Sequence, residues 1–127
     1  GFLARPDWTA LRDGYGLGFA SNRQFQSTFL YKALADGEVD VITAFSSDGR
    51  IVVDKLAVLE DPLRRIPPYD AILLVSPKRA NDKAFLDALR PLIDAIDVET
   101  MRAANRRASA GASPEAVARW LAGKVGG

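Results

Sequence analysis

The sequence predicts an α/β chain, one sheet with helices against it followed by a C-terminal helical tail, on three observations. Short β-branched or apolar runs alternate with segments of helical spacing through residue 75. Gly and Pro clusters punctuate the joints between them. Beyond residue 80 the spacing is helical throughout. With 127 residues, 48% of them hydrophobic, the chain has material for one ordinary core and not comfortably for two. Residues 1–75 are expected to form a partial ligand-binding lobe, and 76–127 the helical tail.

Taken in order, Trp8 to Asp13 makes a short helical turn that Gly14, Gly16 and Gly18 end, before a brief strand over Leu17 to Ala20. From Ser27, Phe29, Leu30, Ala33 and Leu34 fall at helical spacing, and Asp36-Gly37 stops the helix because glycine accepts the left-handed conformation. Val39, Val41, Ile42 and Ala44 then read as a buried strand with Phe45 at its carboxyl end. Ser47 or Asp48 can cap a short helix through Gly49-Arg50-Ile51. Leu56 to Leu59 and Ala71 to Val75 are two further strands, separated by a loop that Pro67-Pro68 stiffens into Tyr69.

In the tail, Asn81 can cap a helix whose apolar stripe is Phe85, Leu86, Leu89, Leu92, Ile93 and Ile96, with a break near Arg90 because Pro91 is costly inside it. Asp97 caps a helix from Val98, Ala108 to Ala112 form a loop, and Ser113-Pro114-Glu115 start the last helix. The Gly126-Gly127 end is expected to fray.

Composition removes whole classes of function. There is no cysteine and no histidine, so thiol nucleophiles, imidazole acid/base chemistry, disulfides and the usual zinc sites are excluded. No metal or cofactor is implied. Lys and Arg number 17 against 16 Asp and Glu, a balance without the clustered basic excess that a nucleic acid requires. No apolar run approaches the roughly 20 residues that cross a bilayer. The chain starts at Gly1 without an initiator methionine, and is expected to be a piece of a longer protein.

Two aromatic residues have the setting of a site. Phe45 stands at the carboxyl end of its predicted strand, where ligands gather in open α/β sheets. Tyr69 follows a rigid diproline that can present it at little ordering cost. Taken alone, each is more often a packing aromatic. An enzyme would have to use carboxylates such as Asp48, Glu60 and Asp61, without histidine or cysteine, and Glu60-Asp61 before Pro62 reads as a solvated strand end rather than as catalytic machinery.

In number and order, several motifs resemble the C-terminal portion of the substrate-binding proteins of ABC importers for glycine betaine, choline and related quaternary-ammonium osmoprotectants. They are the F-x-x-R-P-D segment from Phe2 to Asp7, Tyr31-Lys32-Ala33-Leu34 through Val41, Ala44-Phe45-Ser46-Ser47-Asp48-Gly49-Arg50-Ile51, Val58-Leu59-Glu60-Asp61, Pro67-Pro68-Tyr69-Asp70-Ala71, and Glu99-Thr100-Met101 with Asn105. The resemblance implies part of a type II periplasmic-binding-protein-like fold, a two-lobed receptor outside the cytoplasm that delivers solute to the importer's permease. By the same resemblance Tyr69 and Phe45 match walls of an aromatic box around a quaternary ammonium, which has no N–H to donate and is held by ring faces. The family more often carries tyrosine at the Phe45 position. Arg5 matches an arginine that clamps a carboxylate, and Ser47 is a neighbouring donor.

In the family the chain crosses back and the helices from Asn81 onward complete the other lobe; without its remainder their apolar faces lack their usual partner, so self-association of the chain, or a repacked tail, is expected. The alternative function is the ligand-sensing effector domain of a regulator with a related two-lobed fold. That reading needs a DNA-reading helix, and no basic recognition helix is visible.

Overall fold

A computed structural model describes residues 2–125; the predicted fraying at Gly126-Gly127 lies outside the described residues. The elements are a 3-10 turn at Phe2–Ala4, α1 (Pro6–Tyr15), α2 (Ser27–Ala35), α3 (Arg50–Val53), a 3-10 turn at Pro77–Arg79, α4 (Lys83–Leu89), a 3-10 turn at Arg90–Leu92, α5 (Val98–Ser109) and α6 (Pro114–Val125). They divide into two compact units: residues 1–44 with 59–70, and residues 45–58 with 71–127.

The predicted α/β class, with one lobe's sheet, is overturned: among the described residues there is no strand. The segments read as strands at 17–20, 39–44, 56–59 and 71–75 are irregular backbone. A strand is defined by a partner, and β-branched composition extends the backbone without supplying the neighbour that accepts its N–H groups. The side chains agree, since Val41, Leu59, Ile72, Leu73 and Leu74 are exposed, Leu74 to 88%.

Locally coded helices form as their signals require. In the first unit, α1 opens on Pro6, whose missing N–H falls where a helix start has no acceptor for it. It ends at Gly16, which takes φ 63°. Helix α2 closes with Gly37 at φ 72°, the Gly37 N–H on the Leu34 carbonyl at 3.2 Å and the Glu38 N–H on the Ala33 carbonyl at 2.9 Å. That is the paired closure a left-handed glycine permits. Its buried residues are Tyr31 and Ala33, whereas Phe29, one of the apolar residues at helical spacing, is exposed.

In the second unit the caps fall mostly as expected. Asp97 accepts the Thr100 N–H at 2.7 Å, and Ser113 Oγ accepts the Ala116 N–H at 3.2 Å. The α4 cap sits one residue later than predicted, on Asp82, which accepts the Phe85 N–H at 3.1 Å. Backbone hydrogen bonds of this kind hold the Asp82 and Asp97 carboxyls below the usual carboxylate range. Pro91 stops α4, and the chain tightens there into the 3-10 turn.

Helix α5 is the organising element of this unit. Ala104, 1% exposed, lies on its inner face. Gly49, just before α3, approaches so closely that a Cβ there would lie 2.5 Å from the Arg106 backbone nitrogen. On α6, Trp120 receives the Arg107 guanidinium 4.4 Å from its ring centroid, which ties α6 to the end of α5.

Candidate functional site

Arg5 and Tyr69, expected to serve one ligand, meet in the first unit. The Arg5 guanidinium lies 5.4 Å from the Tyr69 ring centroid and also donates to the Tyr69 hydroxyl. Asp7 completes the cluster, with an oxygen 2.8 Å from Arg5 Nη2 and 3.4 Å from the Tyr69 hydroxyl that donates to it. Tyr69 remains 55% exposed. The exposed Tyr69 ring face is open to a cation, because an aromatic quadrupole attracts positive charge at low desolvation cost.

The loop leading to Tyr69 is built around Asp61. Its carboxylate accepts the Arg65 N–H at 3.0 Å, the Ile66 N–H at 2.7 Å and the hydroxyl of Tyr15 at the end of α1. That hydroxyl in turn accepts the Leu63 N–H at 2.9 Å. Asp61 is therefore held below the ordinary carboxylate range, first by the Tyr15 hydroxyl and then by the Ile66 and Arg65 N–H groups. Burial raises the Tyr15 hydroxyl above its ordinary value, and the hydrogen bond to the Asp61 carboxylate adds to it. A residue read from sequence as a solvated strand end is thus the hub of a closed loop.

In the second unit, Phe45 and Ser47 share an open cleft of about 320 Å³ with Asp48, Asn105, Ala108 and Ser109. This volume is at the lower end of that seen for small-molecule sites. Phe45 is 71% exposed, so its ring is not consumed by packing. The turn carrying it is pinned from α5: Asn105 Nδ2 donates to the Ser47 carbonyl at 2.8 Å, and Arg102 donates to the Ser46 carbonyl. Asp48, one of two predicted caps for α3, accepts the Arg50 N–H at 3.0 Å, but the cap position itself is Gly49, one residue later than predicted.

Asn105 entered the sequence reading only as a motif position, and its role as the brace of the Phe45 turn is nonlocal. Asp7 and Tyr15 were not marked as site residues, and Asp61 was set aside as a solvated strand end. The one signal available was the dense turn chemistry of Asp61-Pro62 before Arg64-Arg65, since an aspartate that opens a turn commonly accepts the N–H groups that follow it. Among the described residues no three Asp or Glu side chains gather as a metal site, and no helix is long and apolar enough to cross a membrane.

The family described as the substrate binding domain of ABC-type glycine betaine transport systems matches residues 1–123. A glycine-betaine-binding protein of Pseudomonas aeruginosa is 32% identical over 110 residues, covering 84% of this chain and 35% of that protein. The carnitine transport binding protein OpuCC of Listeria monocytogenes is 33% identical over 69 residues, 54% of this chain and 22% of its own length. The chain thus spans about a third or less of these curated relatives. No solved structure gives a significant match.

Proposed function

Because the chain belongs to the family of substrate-binding domains of ABC-type glycine betaine transport systems, we propose that it is part of a receptor that delivers a quaternary-ammonium compatible solute to an importer's permease. The receptor works outside the cytoplasm and makes or breaks no bond. The observation that carries the ligand class is the exposed Tyr69 ring with the Arg5 guanidinium 5.4 Å from its centroid. A ring face beside a guanidinium suits a compact zwitterion such as glycine betaine. The ring takes the trimethylammonium by cation–π attraction, and the guanidinium, exchanging Asp7, takes the carboxylate.

In the second unit Phe45 is proposed as the ring face of its own cleft. Phenylalanine keeps the ring face and gives up the hydroxyl, so this turn depends on Asn105 and Arg102 for its position rather than on a phenol of its own. Ser47 lies beside Phe45 as a polar neighbour in the same cleft.

Titration calorimetry of the full-length protein with glycine betaine, choline, carnitine and proline tests the proposal. Sub-millimolar binding of at least one quaternary ammonium, tighter than proline, is expected. A protein that binds proline and none of the quaternary ammonium compounds would refute it.

A further inference from the structure

The loop from Asp61 to Tyr69 is fastened to α1 at both of its ends, and we infer that Asp61 and Tyr15 form a positioning clamp that sets the Tyr69 ring for its ligand. At the C-terminal end of α1, Tyr15 donates to Asp61 and accepts from Leu63, while Asp61 gathers the Arg65 and Ile66 N–H groups. At the N-terminal end, Asp7 and Arg5 hold the Tyr69 hydroxyl. Between them Gly14 leaves the space that Arg65 occupies, since a Cβ at Gly14 would lie 2.6 Å from Arg65 Nε.

The lengths agree with a strap laid along the helix. The axial rise from Asp7 to Tyr15 is about 12 Å. The step from Ile66 to Tyr69 through Pro67-Pro68, held extended, covers about 9 Å, and the side chains at the Tyr69 end span the rest. A diproline does not shorten or fold, so it passes the position fixed at Ile66 on to Tyr69. With the clamp open, the loop samples many conformations, and Tyr69 must be ordered at the moment of binding.

This inference rests on the reading that Tyr69 meets the ligand, and a double-mutant cycle separates the two. Glycine betaine affinity of the full-length protein is measured by calorimetry for the native sequence, Asp61→Asn, Tyr69→Ala and the double variant, with Tyr15→Phe as a second opening of the clamp. Asp61→Asn and Tyr15→Phe are each expected to weaken binding about threefold to tenfold in the native background, and less than twofold when Tyr69 is already Ala, because coupled residues are non-additive. Equal weakening in both backgrounds overturns the inference, since Asp61 would then act through general stability. Full affinity in Asp61→Asn and Tyr15→Phe, beside a loss in Tyr69→Ala, overturns it while sparing the Tyr69 reading. Full affinity in Tyr69→Ala overturns both.

Discussion

Gly49→Ala puts the packing of the Phe45 turn under the most direct strain. The added Cβ would lie 2.5 Å from the Arg106 nitrogen and 2.8 Å from its Cα. Both are helix backbone atoms of α5 and cannot turn aside as a flexible side chain would. Relief requires the turn and α5 to separate by most of an ångström. Overpacking of this kind costs about 1–3 kcal/mol. The same separation stretches the Asn105 bond to the Ser47 carbonyl, 2.8 Å long, and the Arg102 bond to the Ser46 carbonyl, and a lost hydrogen bond costs about 1 kcal/mol.

A destabilisation of about 2–4 kcal/mol is therefore expected, together with weakened ligand binding at the Phe45 cleft. Urea unfolding of the purified protein reads it as a lowered midpoint at unchanged slope. Gly18→Ala is the control, because nothing lies within 4 Å of a Cβ there, and it should stay within about 0.5 kcal/mol of the native protein. Equal midpoints for Gly49→Ala and Gly18→Ala would refute the close approach of the turn to α5.

Arg5→Ala should discriminate between ligands: glycine betaine and carnitine lose their carboxylate partner and bind about tenfold or more weakly, whereas choline, which has no carboxylate, loses only the hold of Arg5 on the Tyr69 hydroxyl and weakens less. A uniform loss across all three, measured by calorimetry, would count against the clamp role. Acid should open the Asp61 loop. Its folded carboxyl is depressed, so its contribution is present above the unfolded value near pH 3.9 and is lost as pH falls through the lower folded value. Urea midpoints of Asp61→Asn should accordingly fall less steeply than the native ones below about pH 4. The raised Tyr15 hydroxyl contributes below about pH 10 and loses that contribution as pH rises further, a limb that Tyr15→Phe should remove.

What could be read from the sequence was local. Asp97, Ser113-Pro114 and the Asp36-Gly37 stop act within a turn of the residues they govern, and each helix end they signal is present. Pro91 broke its helix for the same reason: its missing N–H and its ring act on the preceding turn. The strands at 39–44, 56–59 and 71–75 could not be settled this way, because a ladder depends on a neighbour that no stretch of β-branched residues contains within itself.

The candidate site divides along the same line. Phe45 stood out at the carboxyl end of a predicted strand that the structure does not contain, Tyr69 after a diproline, and Arg5 by its F-x-x-R-P-D segment. The groups that position them did not. Tyr15 reaches Asp61 across 46 positions, and Asn105 reaches Ser47 across 58. Neither polar residue carries a mark of its partner in its own neighbourhood, so Asp61 looked like one more solvated carboxylate.

The central claim, that the Tyr69 face takes a quaternary ammonium, is tested most directly by titrating glycine betaine into the full-length protein with Tyr69 native and with Tyr69→Ala. Loss of one cation–π wall should weaken binding by about 1–2 kcal/mol, roughly fivefold to thirtyfold, with the unfolding midpoint little changed. An affinity that stays the same in the variant would contradict the account.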